Sequence, residues 1–515
     1  MRFQLFLKLP LLLGVAATTA VYAGAPVPVA KVVTAPAPTT IAAPVSGPVD
    51  TAILLKQIED LKKKVSHIDY KQRKAEEKLE STTQIEDAKI GILQASQISP
   101  FPEGYIPLSG TNSAVSFAGS RIKIDAAYYP GNVTDRTNNM FNDGTAVPIK
   151  GADPVAGKSG NSAFTAQFSR FSVGSLTQTK YGDVKAYIET DFNGAQSNIA
   201  STSYGLRMRQ AKIEMGSLLV GQTITNFHDS DEGPASLDNN GFTAAPRRVQ
   251  LRWTQKMGCG LTFSASAERP NHEYAFQDGK TYGNEVAGKS TIPDLTARLR
   301  LDGKLGFVSL RGLVRRLEVN VQQGDTIGGN VAVPVTATSA YNNKQTGWGL
   351  GSSFKLLTAE KSNFFGQANI GEGIGQFLLA EVLPAAYLQL PTSAQTATTT
   401  ARFSPRFDTV AGVSGILGYE HWWTDAFRTT VSGAYGKLKY SPYAPVMSGA
   451  TRLTTLLKKA LINAVYSPVK NIDVGIELLY TTRETLTGTD QSGAPTVKNG
   501  MGKGTQIMTS FIYKF

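Results

Sequence analysis

A single cysteine, Cys259, in 515 residues leaves no partner for a disulfide, and no lipoprotein-like signal precedes it. After the first 25 residues no apolar run approaches the ~18 residues that a spanning helix needs. Charged residues make up 18% and mean hydropathy lies slightly below zero, a balance too polar for a helical membrane protein. With four His and no His or Cys cluster, no metal is expected, and no glycine-rich phosphate loop runs from a strand into a helix, so no cofactor is expected either. His228 beside Asp229 and His272 beside Glu273 are the places where a hydrolase would look for a base. Neither has a recognisable nucleophile context, so no catalytic residue is assigned and an enzyme is not expected. The net charge of +12 would suit nucleic acid only with a clustered basic face and stacking aromatics or a recognition helix, and the signs of secretion argue against that reading.

The features that are present argue for export. Arg2 and Lys8, the apolar Leu9 to Ala17 and then Val21-Tyr22-Ala23 have the order of a secretory signal, giving residues 1–23. Residues 24–50, rich in Pro, Ala and Val, lack periodicity and read as a flexible tether. From Leu54 the apolar positions run Ile58, Leu61, Val65 and Ile68, then Gln72, Ala75 and Leu79, a four-three spacing that predicts a periplasmic coiled coil over 51–95. Its mixed Leu, Ile and Val seam permits a trimer without selecting it, and a lone amphipathic helix is the alternative. Residues 96–114 form a linker.

Beyond it, sixteen segments alternate apolar and polar residues: 115–129, 163–176, 182–193, 205–214, 217–222, 247–256, 260–269, 294–303, 306–319, 346–356, 361–372, 409–423, 425–439, 454–467, 470–483 and 504–515. Weak patterning near Leu378 and Leu457 leaves fourteen or eighteen open. The gaps alternate short and long, as an up-and-down barrel requires, and the last segment ends on Phe515. The predicted fold is an all-β transmembrane barrel of about sixteen antiparallel strands, over 115–515, with an N-terminal helical coiled-coil segment. An even count returns both termini to the periplasm.

Alternation also sorts the charges, because a charge facing lipid near the midplane costs roughly 2–4 kcal/mol and one facing a wet lumen does not. With Ile122, Ile124, Leu206, Met208, Val249, Leu251, Leu295, Leu299, Val308 and Leu310 facing lipid, the predicted lumenal set is Arg121, Lys123, Arg207, Arg209, Arg248, Arg252, Arg298, Arg300 and Arg311. Such a wall would guide carboxylates, since guanidinium donors match their geometry. The alternative pairs these groups with Glu189, Asp191, Glu268 and Asp302. Strict alternation with Phe164 and Phe168 aims Arg170 at lipid, marking a bulge or an interfacial position. The third long loop, Thr223 to Pro246, carries Asp229, Asp231, Glu232 and Asp238; folded inward opposite the basic wall, it would set a transverse field, and folded outward it would be an external acidic loop.

Several blocks in order, Gly104-Tyr105-Ile106-Pro107-Leu108 with Gly110-Thr111-Asn112-Ser113, Phe168-Ser169-Arg170, Ile188-Glu189-Thr190-Asp191-Phe192 and Leu219-Val220-Gly221-Gln222-Thr223 with Asn226-Phe227, resemble the DcaP-like outer-membrane porins. The resemblance covers the coiled coil and the first half of the barrel. It implies a homotrimer of sixteen-stranded barrels passing small anions such as dicarboxylates, with pore arginines among Arg207, Arg209, Arg248 and Arg252. Ile224 and His228 depart from the pattern. The expected partners are small anionic solutes, outer-membrane lipid and lipopolysaccharide, further copies of the chain and, through the coiled coil, the cell wall. The alternative function is a structural or adhesive barrel. A sugar channel would need an aromatic slide, for which Tyr187 and Trp348 are too few.

Overall fold

The computed structural model describes residues 51–97, 101–130, 147–149, 160–194, 196–198, 203–229, 235–237, 246–276, 281–282, 288–289, 291–321, 326–327, 331–332, 341–379, 383–389, 406–442, 444, 453–486 and 500–515. The proposed signal and tether lie outside the described residues. The chain divides into two units, Met1–Gln97 and Ile98–Phe515.

In the first unit Thr51–Gln97 is one helix of 47 residues, α1. Its Lys, Glu, Gln, Leu and Ala content favours helix, and no proline interrupts it. The seam residues Ile58, Leu61, Val65 and Ile68 remain 48% to 60% exposed.

The second unit is a closed wall of sixteen antiparallel strands. In chain order these are β1 (Ser113–Ser116 continued by Arg121–Tyr129), β2 (Asn161–Thr165 continued by Arg170–Thr179), β3 (Gly182–Asp191), β4 (Arg207–Met215), β5 (Leu218–Ile224), β6 (Arg247–Gly258), β7 (Leu261–Glu268) and β8 (Asp294–Gly303). They continue as β9 (Gly306–Val321), β10 (Tyr341–Leu357), β11 (Asn363–Glu372), β12 (Ala411–Trp422), β13 (Phe427–Lys439), β14 (Thr454–Val469), β15 (Ile472–Thr485) and β16 (Met501–Lys514). Each pairs with the next, and β16 returns to β1 from Ile507↔Tyr128 to Lys514↔Arg121, so the sheet has no open edge. The count of sixteen settles both weak segments. Leu457 lies on β14, whereas Leu378 follows a single 3-10 turn, Gly375–Phe377, inside the barrel.

Short turns gather at one end, five of them of two residues; in the one between β6 and β7 Cys259 takes a positive φ between two glycines of positive φ. Long loops gather at the other. Outward positions are large and exposed, for example Leu310 at 64%, Leu417 at 62% and Ile476 at 51%. An unbroken belt of this kind suits acyl chains and not water. Tyr513 and Phe515 stack near the short-turn end, where exposed Trp423 and Tyr466 also lie, as interfacial aromatics do.

Two departures from strict alternation follow from breaks in the ladder. β1 and β2 are both interrupted, at 117–120 and 166–169, where the Ser120 hydroxyl accepts from Ser172 N at 3.0 Å and the Ser169 hydroxyl accepts from Lys123 N at 3.0 Å. The break resets parity. Phe168 turns inward at 2% exposure, Phe171 faces out, and Arg170 enters the lumen, so its predicted lipid-side aim is replaced by the bulge that was the alternative. Between β3 and β4 the register slips after Glu189↔Gln210, leaving Arg209 as the extra residue on β4, so that Arg209 and Gln210 both point inward.

Candidate functional site

The lumenal surface follows from the alternation. Val249, Leu251 and Trp253 face out on β6, leaving Arg248 and Gln250 buried and Arg252 half-buried inside. On β8 and β9 the same parity sends Arg298, Arg300 and Arg311 inward. Half-buried Arg121 pairs in register with Arg170, and Lys123 is buried against Asp125, with Ser510 at 3.3 Å. All nine predicted basic residues therefore lie on the inner face.

They do not form one bare positive track. On β3 and β4, Arg207 grips Asp191 with two bonds of 3.0 and 2.8 Å, while Arg209 reaches Glu189 at 2.8 Å and Asp191 at 2.6 Å. Arg170 adds a 3.5 Å contact to Glu189, whose other oxygen accepts from Gln210 and Tyr187. Here the expected pairing with Glu189 and Asp191 holds. On β6 the outcome differs. Arg248 donates to Gln376 and to the Arg269 carbonyl, and Arg252 donates to Gln250 at 2.8 Å and to the Ile224 carbonyl at 2.5 Å. Among the described residues, neither has a carboxylate in ion-pairing contact.

The third long loop, between β5 and β6, enters the bore. Asn226 N donates to Glu268 at 2.7 Å, and Phe227 is fully buried. Asp229 sits against β8, β9 and β10, accepting from Arg298 at 2.7 Å, Arg300 at 3.3 Å, Ser353 at 2.9 Å and the Ser309 hydroxyl. Farther along, Ser236 and Leu237 N bind Glu477 at 3.0 and 2.7 Å, and the Ala235 carbonyl accepts from Asn463 at 2.8 Å. Those partners are on β14 and β15, across the wall from β6, so the described residues of the loop contact both sides of the lumen. Asp229 thus stands on the basic wall, not opposite it as a transverse field would require, because two guanidinium groups and two hydroxyls there satisfy a carboxylate that burial would otherwise penalise. Asp231, Glu232 and Asp238 lie outside the described residues.

Burial by itself would raise the Asp229 carboxyl, but Arg298, the Ser309 hydroxyl and Arg311 outweigh it and hold the group below the usual carboxylate range. A depressed value means that the anchor persists above the usual range and is lost as pH falls through the lowered one. Replacing Asp229 with Asn is expected to weaken the anchor by about 3 kcal/mol, since it strips a buried ion pair of one partner. Amide exchange over 225–229 should rise accordingly.

Sequence reasoning missed a second inward loop, between β11 and β12. Ile374, Phe377, Leu378 and Leu379 are at most 1% exposed and pack on Phe365, Ile416, Leu461 and Leu479, inward residues of β11, β12, β14 and β15. The bore is therefore divided. Beneath this loop the inner wall is largely apolar, although Lys459, Asn463, Glu477 and Arg483 also point inward on β14 and β15. The signal was present in Leu461-Ile462 and Leu478-Leu479, where both faces of a strand are apolar and the inner one must be covered. Arg315 was also missed, although the parity that gave Arg311 extends to it: fully buried, it reaches Asp294 at 3.3 Å and the Gly373 carbonyl at 3.1 Å. Trp348 is 41% exposed on the outer face, which removes it from any lumenal slide.

Among the described residues no group of His, Cys, Asp or Glu could hold a metal. No curated protein sequence matches the chain. Among solved structures, the outer-membrane channel DcaP of Acinetobacter baumannii is similar with a TM-score of 0.58 at 19% identity, covering 80% of this chain and 99% of that one. An anion-selective porin from Comamonas acidovorans aligns at 12% identity and TM-score 0.43, covering 78% of this chain and 100% of that one. The likeness to the Acinetobacter channel carries the fold. A family model described as DcaP outer membrane protein matches residues 62–503, most of the chain, and the closed sixteen-stranded wall agrees with it. The chain belongs to the DcaP outer membrane protein family, whose members are barrels of the bacterial outer membrane.

Proposed function

We propose that the chain is a passive porin of the outer membrane that favours small anions, with dicarboxylates as the class best matched to its lumen. The observation that carries this reading is the pair Arg248 and Arg252: lumenal, on one strand, and bonded only to neutral groups among the described residues. A cation in that state lowers the barrier for a passing anion, whereas Arg207 and Arg209, tied to Asp191 and Glu189, mainly shape the wall. The third long loop, contacting both sides of the bore, sets size, and solutes move down their gradient.

Three copies acting together and a periplasmic N-terminus belong to the same proposal. Its support is α1, whose exposed Ile58, Leu61, Val65 and Ile68 would be buried by two further copies in a coiled coil. Single-channel recording in planar bilayers tests the reading: discrete open steps are expected, reduced in amplitude by millimolar succinate. A protein that inserts and never opens is the structural or adhesive barrel instead.

A further inference from the structure

Where residues 269–276 of the fourth long loop meet 373–379 and 383–389 of the sixth lies a buried knot of charge, of which only Arg248 also belongs to the proposed anion path. Arg248 and Arg315 hold both loops: Arg248 donates to Gln376, Arg315 to the carbonyls of Gly373 and Asn271, and both guanidinium groups lie over the Phe377 ring at 5.8 and 5.5 Å. The loops are joined to each other. Ala385 N donates to the Glu273 carbonyl at 2.7 Å, and Tyr274–Phe276 pairs in parallel with Ala386 to Leu388.

Three carboxylates face the two arginines, Glu268 on β7, Glu273 on the fourth loop and Asp294 on β8, none more than 8% exposed. Their oxygens are under-satisfied. Glu268 Oε2, Glu273 Oε2 and both oxygens of Asp294 have no hydrogen bond among the described residues, with Arg315 serving Asp294 only as an ion pair. The remaining groups around the knot do not supply the missing charge. His272 shares a bond with the Tyr274 hydroxyl, which donates to the Glu318 carbonyl, and the Glu318 carboxylate is engaged by Arg316 at 3.3 Å and Lys344 at 3.9 Å.

We infer that this knot is a proton-operated latch: a proton taken up at Glu273 holds the fourth and sixth loops inside the barrel, and its loss frees them and widens the path. The inference rests on the porin reading and adds its regulation. Burial pushes the Glu273 carboxyl up to about 7 against the pull of Arg248 and Arg315, while burial pushes His272 down to about 4, leaving it neutral through this range. The packed loops bind the proton more tightly than released loops would. Their extra stability is fully present below the ordinary carboxylate value and is lost as pH rises through about 7.

Hydrogen exchange on the full-length wild-type protein at pH 5 and pH 8, corrected for intrinsic rates, tests the latch without requiring a channel. Segments 374–379 and 385–388 should lose at least roughly tenfold of their protection at pH 8, one pKa unit being worth that factor. Equal protection at the two values overturns the inference. In bilayers the wild type should conduct more at pH 8 than at pH 5, and Glu273→Gln should show the low conductance at both. A Gln variant that keeps the full pH response also overturns it. Failure to conduct at all would count against the porin reading, while the exchange result would still decide the latch.

Discussion

Changing Arg248 and Arg252 together to Gln lowers chloride permeability by about threefold, and raises that of potassium by about the same factor, for each charge removed. The figure follows from Coulomb's law: a unit charge about 6 Å from a passing ion in a water-filled bore is worth about 0.7 kcal/mol. Added salt shrinks the effect, because the screening length falls to about 3 Å at 1 M. Arg298→Gln should shift the preference less, since Asp229 already engages Arg298 at 2.7 Å and Arg300 remains beside it. The readout is the reversal potential under a salt gradient. An unchanged potential in the double variant removes both residues from the filter and, with them, the observation on which anion preference rests.

Leu310→Arg prevents or severely slows folding into lipid bilayers. Leu310 is 64% exposed on the outer face of β9, while its neighbour Arg311 is 3% exposed on the inner face. The chain therefore accepts a guanidinium at one position and should reject it at the next, at a cost of about 2–4 kcal/mol near the midplane. Heat-modifiable migration after refolding into vesicles reports the outcome. Folding of the Leu310→Arg variant with wild-type yield would mean that β9 does not present that side to acyl chains.

Much of this architecture was legible because a barrel wall obeys one rule with period two. Ile122, Val249, Leu299 and Leu310 identify the lipid side, and the intervening basic residues then have nowhere to go but inward. Connection lengths fixed the meander, so even the indistinct strand around Leu457 was placed correctly. What alternation cannot foresee is a fault in the ladder. At 166–169 serine hydroxyls replace backbone partners, and Arg170 changes sides. At Arg209 a register slip puts two successive side chains into the lumen.

The inner loops were the other blind spot, for a different reason. Whether a loop stays outside depends on what the wall offers it. Asp229 is drawn onto β8, β9 and β10 by Arg298, Arg300, Ser309 and Ser353, residues remote in sequence, and so it partly neutralises the wall it was expected to oppose. The sixth loop is drawn in by apolar residues such as Ile416 and Leu461 on the inner face, where a wet lumen would call for polar ones. Arg315 illustrates both effects: its inward aim follows from parity, but its partners, the carbonyls of Gly373 and Asn271, come from two separate loops.

The central claim is that unbalanced lumenal arginine, within a closed sixteen-stranded wall, makes this barrel a conduit for anions. The zero-current potential of the wild-type channel, reconstituted in a planar bilayer between dilute and concentrated potassium chloride at neutral pH, tests it most directly. The sign expected is that of chloride permeating faster than potassium; a potential of the opposite sign, with potassium favoured, would contradict the account.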